Sequence, residues 1–331
     1  MSVAAPARQA SLFHLLRRKI ALREAGDLAH EAIRPVLVVL GGAMRGVGGG
    51  AMVTALHDIG VAGAFEAVAG LSAGAATVAY FAAGAEAARR GTAIFYNVLP
   101  PDFIQFRRQP FMQLQKLESA FREGEYALPP VQQWSNIPVW VGAFARRAQQ
   151  PVWINARASK DPVKDILASC AVPVLWPHGV RNRGEIFTDG ELLFSRALPE
   201  LLVSLRATDV VFITNAGART AAAYSVWQAF RGAMARGVYR FLQFTLPLSP
   251  QDKELVLLFL RMQQVFTREV VERSALSVPR IYVLWAPAPG VRRTSQRPQR
   301  LYEHALCAYG AVYKALGLPA PQDPPLVPLS C

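Results

Sequence analysis

At 331 residues and 52% hydrophobic, the chain has enough apolar content for a sizeable core, which excludes global disorder. Its three cysteines, Cys170, Cys307 and Cys331, are odd in number and widely spaced, so neither a disulfide framework nor a zinc spacing is present. The net charge of +13 favours anionic partners, either phosphates or an anionic membrane surface, with a merely solubilising surface as the bland alternative; no nucleic-acid motif accompanies it, so nucleic acid is not an expected partner.

Residues 11–23 read as a basic amphipathic helix with Leu12, Leu15, Leu16 and Ile20 along one side, and residues 26–34 as its completion. Such a helix lies on a membrane or caps the domain. It lacks the uninterrupted apolar stretch of a secretory signal, while its Arg-bearing, acid-free start leaves a transit peptide open. The expectation is a cytoplasmic protein, peripheral at a membrane.

Pro35 to Leu40 is a continuous apolar run of strand length, as in a buried parallel strand. It enters a glycine-rich loop, residues 41–50, and a helix over 51–59. The loop has neither the G-x-G-x-x-G pattern with a following acid nor the Gly-Lys-Ser/Thr ending of a phosphate loop. It reads as an oxyanion hole, whose small residues let an oxygen approach backbone N–H groups, or as a plain glycine turn.

A second unit of the same kind follows. The apolar pair Val68-Ala69 leads into Gly70-Leu71-Ser72-Ala73-Gly74 and a small-residue helix. Strand, tight turn bearing Ser, then helix is the context of a nucleophile elbow; side chains at Gly70 and Gly74 are expected to collide with neighbouring strands. Taken alone, G-x-S-x-G is equally a glycine-rich packing turn. The uncharged run 67–85 is mostly Ala and Gly, so it reads as buried core rather than a transmembrane helix.

Residues 86–150 interleave Phe and Tyr with Arg and Lys and are broken by prolines, which predicts a lid-like insertion. A strand resumes at Val152–Ala156, and Asp161-Pro162 caps a helix to Ser169. A strand over 184–190 ends in Asp189-Gly190, followed by a helix over 198–207, a buried strand over 209–214 and a long helical region over 219–275. The last elements are a strand over 280–285, a loop bearing Arg292, Arg293, Arg297 and Arg300, a helix over 299–316 and a loosely ordered Pro-rich tail, 319–331. Residues 217–300 hold 13 Lys or Arg against 4 Asp or Glu. Strands alternating with helices predict a doubly wound α/β fold with a mainly parallel central sheet, the domain running over 35–318 after an N-terminal segment, 1–34.

Four blocks in this order carry a family resemblance. Leu40-Gly41-Gly42-Ala43-Met44-Arg45-Gly46 resembles the glycine-rich oxyanion loop of the patatin-like phospholipases, and Gly70-Leu71-Ser72-Ala73-Gly74 their elbow. Ala168-Ser169-Cys170-Ala171-Val172-Pro173 resembles their third block and Thr188-Asp189-Gly190 their Asp-Gly block. The resemblance covers about residues 35–216. It implies a Ser-Asp dyad with Ser72 as nucleophile and Asp189 as base, and amides of Gly41, Gly42 and Ala43 around the oxyanion. Arg45 would shape the loop or meet a lipid phosphate. The implied activity is hydrolysis of phospholipid or lysophospholipid esters through an acyl-enzyme, at an anionic membrane surface, with no metal and no cofactor. The five histidines likewise show no metal-ligand spacing. Ala43 and Glu191 stand where the family usually has Gly and a small residue, and the segment 195–199 lacks its Asn. Glu191 either raises the Asp189 pKa by like-charge repulsion or faces solvent. Two other readings remain: a non-catalytic lipid- or protein-binding relative, and an acyltransferase on the same fold.

Overall fold

The computed structural model describes residues 5–107, 110–173, 175–191, 194–215, 278–287 and 290–330. The helical region expected over 219–275, and with it most of the basic stretch 217–300, lies outside these residues. The fold is α/β, with a mostly parallel central sheet between helices.

Five strands run parallel in the order β3 (Val139–Ala145), β2 (Ala67–Leu71), β1 (Pro35–Val39), β7 (Asp209–Thr214) and β8 (Arg280–Trp285). The antiparallel strands β4 (Gln150–Asn155) and β6 (Glu185–Asp189) both pair with β3, and β5 (Val180–Asn182) pairs with β6. Strands β1, β2 and β7 are buried along their whole length, as their uninterrupted apolar sequences require when helices cover both faces.

Alternation along β1 divides the core into two layers. Val36, Val38 and Leu40 pack with Ala67, Ala69 and Leu71 against Leu198, Leu201 and Leu202 of α7 (Phe194–Ser204). Leu37 and Val39 face the opposite layer, built from α2 (Gly46–Asp58), α3 (Ala73–Ala82) and α8 (Pro298–Leu316). Each fully buried Leu or Val contributes roughly 1.5–3 kcal/mol. A further helix of that layer, α4 (Ala85–Ala93), crosses α3 so closely that a Cβ on Gly91 would lie 2.4 Å from the Tyr80 ring.

The N-terminal helix α1 (Ala5–Glu24) buries Leu12 and Leu16 completely in this core. Its apolar face is therefore occupied by the domain itself, which is the capping alternative. Lys19, also buried, binds Glu66 at 2.6 Å. The helix does not continue over 26–34: Gly26, at φ +69°, turns the chain into a short 3-10 turn at Leu28–Ala32.

The segment 86–150 is not one insertion. Its end is β3, at the heart of the sheet, and the remainder forms α4, a π-turn at Ile94–Val98 and α5 (Leu114–Arg122), packed through Phe95, Leu117 and Phe121. The β3 sequence, Val-Trp-Val-Gly-Ala-Phe-Ala, carries a glycine at its middle, which hides it among the neighbouring prolines. The tail is also tied down. Val327 O accepts the Tyr96 hydroxyl at 2.6 Å, the Ser330 amide donates to Asn97 Oδ1 at 2.9 Å, and Leu326 is buried. Among the described residues no helix is long and apolar enough to cross a membrane; the uncharged run 67–85 is β2 and α3.

Candidate active site

Ser72 occupies the single residue between β2 and α3, at φ 54°, ψ −129°. That conformation costs a non-glycine residue about 1–3 kcal/mol and persists only where the surroundings enforce it. Here they do. The Ser72 N–H donates to Ser169 Oγ at 2.8 Å, and that hydroxyl donates to Gly142 O on β3 at 2.6 Å. The Ser72 carbonyl accepts from the Ala75 amide at 2.8 Å and from Cys170 Sγ at 3.3 Å. Ser169 and Cys170 end α6 (Pro162–Cys170), whose start is capped by Asp161 accepting the Lys164 amide at 3.1 Å. The block Ala168–Pro173 thus serves as the clamp on the elbow.

The two elbow glycines are required by contact. A Cβ on Gly74 would lie 2.1 Å from the Val39 carbonyl oxygen of β1. One on Gly70 would lie 2.3 Å from Gly74 O, so its clash is with the following helical turn rather than with a strand.

Sheet register brings Asp189 to Ser72. Strand β4 fills one edge of β3 from Trp140 to Ala145. On the other edge β2 pairs up to Leu71↔Gly142, and β6, running the opposite way, pairs down to Asp189↔Ala143. The C-terminal ends of β2 and β6 therefore abut on one edge of β3, and the residues that leave them are Ser72 and Asp189. Both are buried, at 3% and 1% exposure. Gly190 permits the approach, since a Cβ there would lie 2.7 Å from Ala143 N.

Burial pushes the Asp189 carboxyl up to about 7, with the Glu191 charge beside it as the second cause; the Ser72 side chain, the Glu191 amide and Arg293 act the other way. Asp189 Oδ1 accepts the Glu191 amide at 2.8 Å. Oδ2 is buried without a hydrogen bond of ordinary geometry, so the Ser72 interaction is looser than a formed bond. A carboxyl near neutrality is suited to taking and returning a proton at physiological pH.

The glycine loop lies against Ser72 through Gly41. Among the described residues the amides of Gly41, Gly42 and Ala43 donate to no backbone or side-chain acceptor, whereas the next two are used: Met44 N donates to Arg293 O at 3.1 Å and Arg45 N to Gly42 O at 3.1 Å. Ala43 is held at φ 51°, in the left-handed region, at a cost of about 1–2 kcal/mol to alanine. Arg45 donates through Nε to Val291 O at 3.0 Å, tying the loop to the segment before α8.

Glu191 is turned inward, not to solvent. A Cβ on Gly41 would lie 2.6 Å from Ser72 Cβ and 2.7 Å from Glu191 Oε2, so the glutamate carboxyl shares the space beside the serine. Its Oε1 is buried without a hydrogen bond, 3.8 Å from Arg293 Nη2, and burial raises its pKa against the opposing charges of Arg293 and Arg45.

Three roles escape a reading of motifs. Ser169 clamps the elbow, Arg293 opposes Glu191, and Asn215 braces the glycine loop. The buried Asn215 side chain donates to Leu40 O at 2.6 Å and accepts the Gly49 amide at 2.7 Å, joining both ends of the loop. Its position was legible in one respect: it directly follows a buried strand, at the end of the sheet where ligands of open α/β folds gather. Among the described residues no group of His, Cys, Asp and Glu converges as a metal site.

No protein-family model matches the chain, and no curated protein does. Among solved structures it is similar to the crystal structure of VipD from Legionella pneumophila, with a TM-score of 0.44 and 13% identity over 86% of this chain and 67% of that one. At that level of likeness the chemistry has to be read from the site itself.

Proposed function

We propose that the chain is a serine acyl hydrolase working through a Ser72–Asp189 dyad on carboxylic esters of phospholipids or lysophospholipids. The observation that carries this reading is the abutment of β2 and β6 on β3, which delivers a strained serine and a buried carboxyl to one point. Ser72 Oγ attacks the ester carbonyl as Asp189 takes its proton. The tetrahedral oxyanion is held by the amides of Gly41, Gly42 and Ala43, where one such donor is worth about 3–4 kcal/mol of barrier. Asp189 then returns the proton to the leaving alcohol, and the acyl-Ser72 ester is hydrolysed by water with the same carboxylate as base. Arg45, already engaged with Val291 O, supports the loop in this scheme. The positive charge suits an anionic membrane surface as the place of work.

One observation favours a second reading. The Glu191 carboxyl stands in the space beside Gly41 that an ester must enter, which suits a lipid-binding relative that does not turn over. A fluorophosphonate probe separates the two. The hydrolase reading expects covalent label on Ser72, ester hydrolysis by the full chain, and loss of both in Ser72→Ala with an unchanged melting temperature. An unlabelled, folded protein would speak for the binding reading. Product analysis with an added alcohol acceptor distinguishes transfer from hydrolysis.

A further inference from the structure

The residues just before and within α8 form a second feature that the dyad does not use. They line a groove of about 1000 Å³ that includes Arg292, Arg297, Arg300, Glu303, His304 and Cys307. The three arginines are exposed and make no ion pair with any described residue, and only Glu303 offers an opposing charge. Arg300, His304 and Cys307 follow one another at helical spacing, so one face of α8 forms a wall of the groove.

The helix begins there without a cap. Arg297 stands at the N-cap, where its side chain accepts nothing, Pro298 has no N–H, and the first turn carries no acid. The Gln299 and Arg300 amides have no backbone acceptor. A helix start favours negative charge and disfavours positive charge, yet this one carries two arginines. An oxyanion seated between them relieves both conflicts.

An independent observation lies at the floor. His304 is 6% exposed, lines the groove, and hydrogen-bonds no described residue. Its ring packs between two glycines: a Cβ on Gly48 would lie 3.1 Å from Nε2, and one on Gly290 would lie 3.6 Å from Cε1. The ring nitrogens are not sealed off from the groove, so an imidazole that the protein leaves without a partner there offers its N–H to an incoming acceptor.

The groove is a near neighbour of the dyad. Its wall at 291–293 is the segment that accepts from Arg45 and Met44 of the glycine loop and carries the Arg293 that faces Glu191.

We propose that this groove binds the phosphoryl headgroup of the ester substrate, with Arg292, Arg297 and Arg300 around its oxygens, the open amides of α8 behind them and His304 at the floor. The substrate class is then a phosphomonoester lipid whose acyl ester reaches across the 291–293 segment to Ser72. The link to Ser72 rests on the hydrolase reading; phosphate binding by the groove does not.

The test has two arms, each on the full chain. In the first, glycerol 3-phosphate and inorganic phosphate are titrated calorimetrically at low salt, and alkylation of Cys307 is followed by peptide mass spectrometry. Expected are saturable binding of glycerol 3-phosphate, slower Cys307 alkylation in its presence, and at least tenfold weaker binding in R292Q/R297Q/R300Q. The control R17Q/R18Q, on the exposed side of α1, should bind as the parent does. Absence of saturable binding, or equal weakening by the control, overturns the groove. Inorganic phosphate binding as tightly as glycerol 3-phosphate overturns the headgroup assignment. In the second arm, hydrolysis of a monoacylglycerol phosphate is compared with that of the uncharged monoacylglycerol of the same chain. The triple variant should raise KM at least tenfold for the phosphorylated ester alone; an equal change for both esters overturns the assignment. If glycerol 3-phosphate binds and protects Cys307 while neither ester is cleaved, the hydrolase reading fails and the phosphate site stands.

Discussion

Ser72 and Asp189 owe their chemistry to different neighbours. The serine is held in its strained geometry by Ser169, whose hydroxyl is spent on the Ser72 amide and on Gly142; the Ser72 N–H is therefore not free to serve an oxyanion, and under the proposed hydrolysis that duty falls to the glycine loop. The carboxyl of Asp189 is raised by burial and by Glu191. A base must be ionised to take the serine proton, so kcat/KM should climb with pH through a midpoint near the raised value of about 7. Glu191→Gln removes the like charge and lets Asp189 ionise more easily. The acid limb of the pH–rate profile of E191Q should therefore move to lower pH, as followed with a soluble ester between pH 4 and 9. An unmoved limb would show that the glutamate charge does not reach the base. Asn215 acts on backbone alone: its amide joins Leu40 to Gly49.

Between elements, the decisive contacts are backbone against backbone. Helix α3 starts so close to β1 that Gly74 has no room for a methyl group, its Cβ position lying 2.1 Å from a carbonyl oxygen that cannot rotate away. Gly74→Ala should cost about 3 kcal/mol or more, beyond the ordinary range for an added methylene in a core, because strand and helix must separate. Chemical denaturation of the purified variant measures this; a loss below about 1 kcal/mol would mean that the α3–β1 junction yields more easily than its geometry indicates. Gly190 against Ala143 is the corresponding contact beside Asp189. Helix α6 contributes from a third direction, its capped start fixing the helix whose last residues clamp the elbow.

Across the whole molecule, charge is the property that stands apart from the fold. The net +13 is carried disproportionately by residues 217–300. Exposed positive charge acts over about one Debye length, roughly 8 Å at physiological salt. Sedimentation with vesicles should show binding to anionic bilayers that falls steeply between 50 and about 300 mM salt, and little binding to neutral bilayers. Equal pelleting with both would assign the charge to solubility. The amphipathic helix α1 is not available for this role through Leu12 and Leu16, which the core has taken.

The amino-acid sequence by itself determined the alternation of strand and helix, the positions of the Ser72 elbow, the glycine loop and the Asp189 turn, because each is a local pattern: an apolar run of strand length, small residues where backbone must pass backbone, and a following helix. Its local signals failed at β3, whose pairing partners on both edges are what make it a strand, and at the tail, which is held by Tyr96, Asn97 and the burial of Leu326. The direction of Glu191 was likewise undecided, since an isolated glutamate is as readily exposed as buried. Tertiary structure alone decided that it points at Gly41 and that Asn215 ties the loop. The physical reason is common to all of these: register, burial and the opposing charge are supplied by residues distant in the chain, and no window of sequence contains both partners.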